Sequence, residues 1–431
     1  MSRIKLAYLG GGSTRAAGTM ASFMHKGERF AGSEVVLIDL DADRLALIRE
    51  LAERMAKAAG VDITVTATTD RREGLRDCDA LLSSFRPGGF AARALDERIP
   101  LKHGVIGQET QGPGGFFMAL RSVAVMKEVA ADIAAVCPQV KIFNYTNPVN
   151  IVAQAMTSYT DIPTVSLCEG PIIFPEYVAR AAGLDPEKLN VTMAGINHLC
   201  WSTFNEYDGQ DVIPLLREGL EARDKELDED QRRLLRLAVT MGRVPSEYFK
   251  YYYFRDDMLR RMQADPKVRA EVILNAVPGY WEHYTEQSRS DDPVLDQARS
   301  RGGIHELELA IDAMHAHFND TGDVLPVNLP NAGGALPGFD EDVVVEVPTR
   351  VDASAFTPIP QPALDHSVAG LVKALAEHQV LAAHAAWEGD SRDAVRALAA
   401  HPLVPSLPTA EALYLEMAHA HAAHLPARLV P

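Results

Sequence analysis

The strongest constraint on this chain lies at its start, where an apolar strand-like run, Ile4 to Leu9, enters Gly10-Gly11-Gly12-Ser13-Thr14 and a helical pattern follows from about Ala16 to His25. A strand, a glycine turn and a helix in succession aim backbone N–H groups at a helix N-terminus, where a pyrophosphate can be held. Gly10 permits the tight turn and Gly12 a close approach of backbone to phosphate, while Arg15 replaces the third glycine of the usual fingerprint. The next β-rich run, Val35 to Ile38, ends at Asp39, a candidate acceptor for adenosine ribose hydroxyls. Its carboxylate would repel a 2′-phosphate, which favours NAD over NADP. Gly10, Gly11, Gly12, Ser13, Thr14 and Asp39 therefore form a candidate cofactor site.

Strand and helix patterns continue to alternate. Asp43 to Ala59 reads as an amphipathic helix, Ile63 to Ala67 and Ala80 to Phe85 as strands, Ala119 to Val136 as a helix and Val140 to Tyr145 as a strand. Such alternation predicts a parallel sheet covered on both faces. The alternation stops near Thr164 to Leu167. Beyond it, Val191 to Phe204 reads as strand with polar interruptions, Glu218 to Met241 as one charged helix, Val343 to Pro348 as β-rich, and the chain from His366 as alanine-rich helix. The expectation is an α/β chain of two domains, a Rossmann-like doubly wound unit over 1–165 and an α+β unit over 166–431.

Charge narrows the possible partners. With 42 basic and 59 acidic residues the formal net charge is −17, which argues against a nucleic-acid binder that must neutralise phosphates along a face. No apolar run approaches the roughly 20 residues needed to span a bilayer, and no signal-peptide pattern opens the chain. The four cysteines, Cys78, Cys137, Cys168 and Cys200, show no framework spacing, which predicts a reducing, cytoplasmic setting.

Several polar cassettes carry chemistry. Phe85 to Glu97 and Gly107 to Gly115 place Arg86, Arg93 and Gln108-Glu109-Thr110 among many glycines, a composition that predicts a loop over a ligand. Asn144-Tyr145-Thr146-Asn147-Pro148 follows a strand, at the carboxyl edge where open α/β sheets bind ligands. Cys168 and His198, the latter in Gly195-Ile196-Asn197-His198, suit a borderline-soft divalent ion. Two protein ligands would leave positions open for substrate oxygens.

Together these segments resemble glycoside hydrolase family 4, whose glycosidases depend on NAD and manganese or another divalent metal and depart from the two-carboxylate scheme of most glycosidases. The resemblance runs through GGGST, FRPGG, GQETQGPGG, NYTNP, Cys168-Glu169-Gly170-Pro171, GINH, PSEYFKYYY, Arg301-Gly302-Gly303, the VEVP of Val345 to Pro348 and His401-Pro402-Leu403-Val404. It implies an architecture like that of lactate and malate dehydrogenases, Cys168 and His198 as metal ligands, and Tyr248 as catalytic base. It also implies a route in which sugar carbon 3 is oxidised by NAD, carbon 2 is deprotonated with metal assistance, the aglycone is eliminated, water adds and NADH returns its hydride.

Within the family, 6-phospho-β-glucosidases carry Asn after the cysteine, 6-phospho-α-glucosidases Asp, and enzymes acting on unphosphorylated sugars or uronides His. Here the residue is Glu169, a candidate acid for the leaving group, although the final proline and neighbouring cassettes look most like the 6-phospho-β-glucosidase group. Arg86 and Arg93 are the candidate anion-binding side chains, Arg86 grouped with the cofactor set and Arg93 with Glu109, Asn147 and Asn197 as substrate contacts. The implied partner is a small-molecule glycoside, a sugar phosphate, bound by a homodimer or homotetramer. An NAD-dependent 2-hydroxy-acid dehydrogenase, which would release NADH and need no metal, and a non-catalytic NAD-binding protein are the competing readings.

Overall fold

Residues of the first strand, β1 (Lys5–Leu9), point alternately into two cores, as a strand's two-residue period requires when both faces are covered. Leu6 and Tyr8 pack with the helices Ala16–His25 and Ala42–Ala59, whereas Ala7 and Leu9 pack with the helix Gly112–Val136 and the C-terminal helices. In this computed structural model, residues 2–301 and 307–431 are described. Gly302 and Gly303 of the Arg301-Gly302-Gly303 cassette lie outside them.

The parallel strands β1, β2 (Ser33–Ile38), β3 (Ile63–Thr68), β4 (Ala80–Ser83), β5 (Lys141–Asn144) and β6 (Thr164–Ser166) lie in the order 3-2-1-4-5-6. That is the doubly wound dinucleotide-binding arrangement. The sheet then continues antiparallel through β9 (Asp323–Pro330), β10 (Val344–Val351), β7 (Leu189–Ile196) and β8 (Leu199–Tyr207), with β11 (Phe356–Pro358) pairing β10. One row crosses this second half: Ser166 faces Asn328, Asn328 faces Glu346, Glu346 faces Gly195 and Gly195 faces Cys200. The helices His366–Trp387, Ser391–Ala400 and Leu407–Ala420 return to pack on the parallel half. No helix among the described residues is long and apolar enough to cross a membrane.

Three sequence expectations change. The Arg93 segment is not a loop but the helix Gly89–Lys102; its run Phe90 to Ile99 is rich in Ala, Arg, Leu and Glu, strong helix formers, and the glycines only mark its start. Val191 to Phe204 is not one strand but the β7–β8 hairpin, because Asn197-His198 forms its turn, with His198 at φ +67°. Glu218 to Met241 is two helices, Val212–Arg223 and Glu229–Met241, since Asp228 accepts from the Gln231 backbone N–H and starts a new helix with a capping box.

Candidate active site

The carboxyl ends of β1, β2, β4, β5 and β6 deliver Gly10, Asp39, Arg86, Asn147 and Cys168 to one edge of the sheet. At the glycine turn, a Cβ on Gly11 would come within 2.8 Å of the Leu37 Cβ, and one on Gly12 within 3.0 Å of the Asp39 Cβ. Only glycines let the turn lie directly against β2. Gly12 N–H donates to Asp39 Oδ2 at 2.9 Å and Leu40 N–H to Oδ1 at 2.7 Å, so the carboxylate is aimed by backbone. Ser13 Oγ is buried with no protein partner among the described residues, an orphan donor suited to a phosphate oxygen. The Thr14 carbonyl accepts from Tyr284 Oη at 2.8 Å.

His198, at the hairpin tip, is buried. Its ring lies flat on that of Tyr248, with centroids 3.9 Å apart and planes within 5°. Burial lowers the imidazole pKa to about 4, so the ring is neutral at physiological pH. Phe174 and Tyr251 make tilted contacts with Tyr248. Among the neighbouring aromatics, Tyr252 donates to Gln111 Oε1 at 2.6 Å and Tyr253 sets its edge on Trp201; only Tyr248 stacks on His198.

Cys168 follows β6 and its Sγ accepts from Gly170 N–H at 3.4 Å. Burial, reinforced by the Glu346 and Glu169 carboxylates, pushes its thiol well above the ordinary range. Burial, then Glu109, Tyr251 and Cys168, does the same to the Tyr248 phenol. Both groups thus sit in a buried, negatively polarised space that favours a cation. Glu169 accepts from Tyr145 Oη at 2.7 Å and begins the helix Gly170–Ala181. Among the described residues no three His, Cys, Asp or Glu side chains converge as a ready-made metal site. Cys168 and His198 would leave the remaining positions to non-protein oxygens.

Behind these residues lies Glu346, 1% exposed, whose Oε1 accepts from Asn197 Nδ2 at 3.0 Å and Asn328 Nδ2 at 2.7 Å while Oε2 accepts from Cys200 Sγ at 3.2 Å. Burial raises its carboxyl pKa in spite of those bonds. On the other flank Glu109 pairs with Arg86 at 2.5 Å and Arg93 at 2.9 Å, and Arg93 also pairs with Glu97 at 2.6 Å. Arg301 lies over the Phe90 ring; burial, then Arg15 and Arg93, lowers its pKa to about 10. Four arginines, 15, 86, 93 and 301, thus act on the one Glu109 carboxylate, an arrangement that favours an anion.

A family model described as family 4 glycosyl hydrolase matches residues 5–184, and the model of that family's C-terminal domain matches residues 193–404. The chain belongs to family 4 of the glycosyl hydrolases. Consistent with this, it is 34% identical to a Bacillus subtilis protein named probable 6-phospho-beta-glucosidase, over 98% of this chain and 97% of that one. The fold of this family 4 glycosyl hydrolase matches that of the Thermotoga maritima 6-phospho-beta glucosidase, solved with NAD and glucose-6-phosphate, at a TM-score of 0.85 and 24% identity, covering 98% of this chain and 99% of the other. The dehydrogenase-like architecture is seen in the match to a Cryptosporidium parvum lactate dehydrogenase, with a TM-score of 0.55, 13% identity, and coverage of 89% of this chain and 98% of that one.

The structure of this family 4 glycosyl hydrolase brings Cys168, His198, Tyr248, Glu169, Asn197 and Glu109 into one electrostatic neighbourhood. Asn147 stands at the same sheet edge, after β5. Arg93 is almost fully enclosed by two carboxylates, whereas Arg86 is partly exposed. Sequence reasoning assigned no role to Glu346, although one carboxylate inside Val343 to Val347 was a signal of a buried charge. It placed Gln108 and Thr110 only in a ligand loop and gave them no role of their own, because Thr110's partner His198 lies far along the chain.

Proposed function

We propose that this chain hydrolyses a 6-phosphorylated hexoside using NAD and a divalent cation, manganese in the first instance. The observation that carries the reading is the flat stack of Tyr248 on a buried, neutral His198 beside Cys168, with Glu109 acting both on that pair and on Arg15, which follows the glycine turn. The names of the matching relatives, 6-phospho-glucosidases solved with NAD and manganese among them, support it.

The residues fit both groups. Ser13 Oγ lacks a partner among the described residues and Gly11 and Gly12 leave no room for a Cβ, as a pyrophosphate cradle requires, while Asp39 is aimed for the ribose. Cys168 and His198 would hold the cation in a space where every nearby carboxylate favours positive charge. When bound, NAD supplies reversible oxidation of a carbinol carbon and the cation supplies Lewis acidity.

In this reading Tyr248 Oη takes the proton from sugar carbon 2. In the chain alone its phenol is held protonated by burial and by Glu109, so the base role requires a positive charge beside it. Glu169, oriented by Tyr145, protonates the leaving oxygen. Asn147 and Asn197 orient the sugar hydroxyls, and Arg86, with Arg301 near it, receives the phosphate. Residues 1–165 would bind NAD and 166–431 supply the metal ligands and base, in a cytoplasmic homodimer or homotetramer. An unphosphorylated hexoside is the second reading, favoured by Glu169, whose carboxylate would repel a phosphate placed beside it.

The test is incubation of enzyme, NAD and manganese with p-nitrophenyl 6-phospho-β-glucoside or the matching unphosphorylated glucoside in deuterated water. Nitrophenol release with deuterium at product carbon 2 is expected for the phosphate. Stoichiometric NADH accumulation, or product without solvent label, would overturn the mechanism.

A further inference from the structure

We propose that Gln108 and Thr110 are positioning residues that hold His198 with its ring proton on Nδ1 and so present a bare Nε2 lone pair to the divalent cation. The inference rests on the reading of His198 as a metal ligand and explains how two uncharged side chains prepare it.

The direction of each bond follows from counting hydrogens. Gln108 Oε1 lies 2.6 Å from Thr110 N and 2.8 Å from Gln111 N. Two backbone N–H groups pointing at one amide atom identify it as the oxygen, an acceptor only. Thr110 Oγ1 stands 2.9 Å from the same oxygen, a separation two oxygens hold only with a hydrogen between them. Gln108 Oε1 has none to give, so the single hydroxyl hydrogen of Thr110 occupies that line. Thr110 Oγ1 therefore meets His198 Nδ1, 3.1 Å away, with a lone pair, and Nδ1 must carry the proton. A metal binds imidazole only through an unprotonated nitrogen, and with the proton on Nδ1 that nitrogen is Nε2.

The Tyr248 stack fixes the plane of the imidazole but not which edge faces which way, since a half-turn about the Cβ–Cγ bond preserves the stack. Thr110 removes that freedom by rewarding only the orientation with Nδ1 toward the loop. The loop is itself fastened: His401 Nε2 accepts from Gly112 N–H at 3.2 Å and Tyr252 Oη holds Gln111. Outer partners of this kind commonly set a metal-bound histidine's tautomer, and their loss costs roughly 10–100-fold in metal affinity.

The test uses metal-free full-length protein labelled with 15N at histidine, the His198 signals being those absent from His198→Gln. The unmodified chain should show a protonated Nδ1 and an unprotonated Nε2. Thr110→Val should populate the other tautomer and weaken Co2+ binding about 10–100-fold, read from thiolate-to-cobalt charge-transfer absorbance, while Thr110→Ser keeps both wild-type properties. A proton on Nε2 in the unmodified chain overturns the proposal without any variant having to fold. So does a Thr110→Val protein with the wild-type tautomer and cobalt affinity. If instead the unmodified chain shows the stated tautomer yet binds no Co2+, the metal-dependent function fails and the tautomer assignment stands.

Discussion

Replacing Glu109 with Gln removes the carboxylate shared by Arg86 and Arg93 while keeping its shape. Burial by itself raises the carboxyl's pKa, but Arg86, Arg93, Arg15 and Arg301 together overcome that penalty and bring it from an ordinary 4.5 to about 2. A depression of that size is worth about 3 kcal/mol of folding stability at neutral pH. Because the folded value lies below the unfolded one, this contribution is complete above about pH 4.5 and drains away as the pH falls toward about 2. Glu109→Gln should therefore unfold with about 3 kcal/mol less free energy at pH 7, and the deficit should shrink to about 1 kcal/mol at pH 3, where the unfolded carboxyl is protonated and the native one is only beginning to be. Urea unfolding followed by circular dichroism from pH 3 to 7 reads the difference as a shift in midpoint at constant slope. A deficit under about 1 kcal/mol at pH 7 would refute the charge argument. A deficit that did not change with pH would do so as well, since it would mark a packing defect rather than a lost carboxylate.

Three further outcomes follow from the site. Gly12→Ala presses a methyl within 3.0 Å of the Asp39 side chain, so NAD should bind about tenfold more weakly by calorimetry with the fold intact; an unchanged affinity would remove Asp39 from the cofactor site. Tyr248→Phe should lower turnover by roughly 10²–10⁴-fold with KM changed less than about threefold, and a loss confined to KM would assign the ring to binding alone. Finally, His198 is neutral above about pH 5 and the Cys168 thiol is protonated through neutrality, so binding one Mn2+ between pH 6 and 8 should release about one proton. Apparent affinity should then rise about tenfold per pH unit, measured by calorimetry in buffers of different ionisation heat; release of no proton would exclude Cys168 as a thiolate ligand.

The parallel half of the fold was legible because its signals are local. Leu6, Tyr8 and Leu37 alternate or run in short apolar stretches, the glycine turn joins a strand to a helix, and Asp39 closes the second strand. The Arg93 segment misled because its flanking glycines suggested a loop, while its helix is held by contacts distant in sequence, such as Glu97 accepting from Ala270 N–H at 2.8 Å. The His198 segment misled in the opposite sense, since a single polar turn between two strands reads as an interrupted strand until the chain is seen to reverse there.

The opening glycine turn and Asp39 by themselves determined that a dinucleotide could be held, because backbone N–H groups and one carboxylate suffice and all lie within one strand–turn–helix unit. How the residues singled out by the family resemblance come together was decided only by tertiary structure. The row from Ser166 through Asn328 and Glu346 to Gly195 sets β6, with Cys168 two residues beyond Ser166, across the sheet from the hairpin that carries His198, and the stack with Tyr248 comes from a third segment. Burial then sets the charge states, leaving His198 neutral and the Cys168 thiol and Tyr248 phenol protonated, and burial is a property of the assembled fold that no stretch of sequence possesses alone.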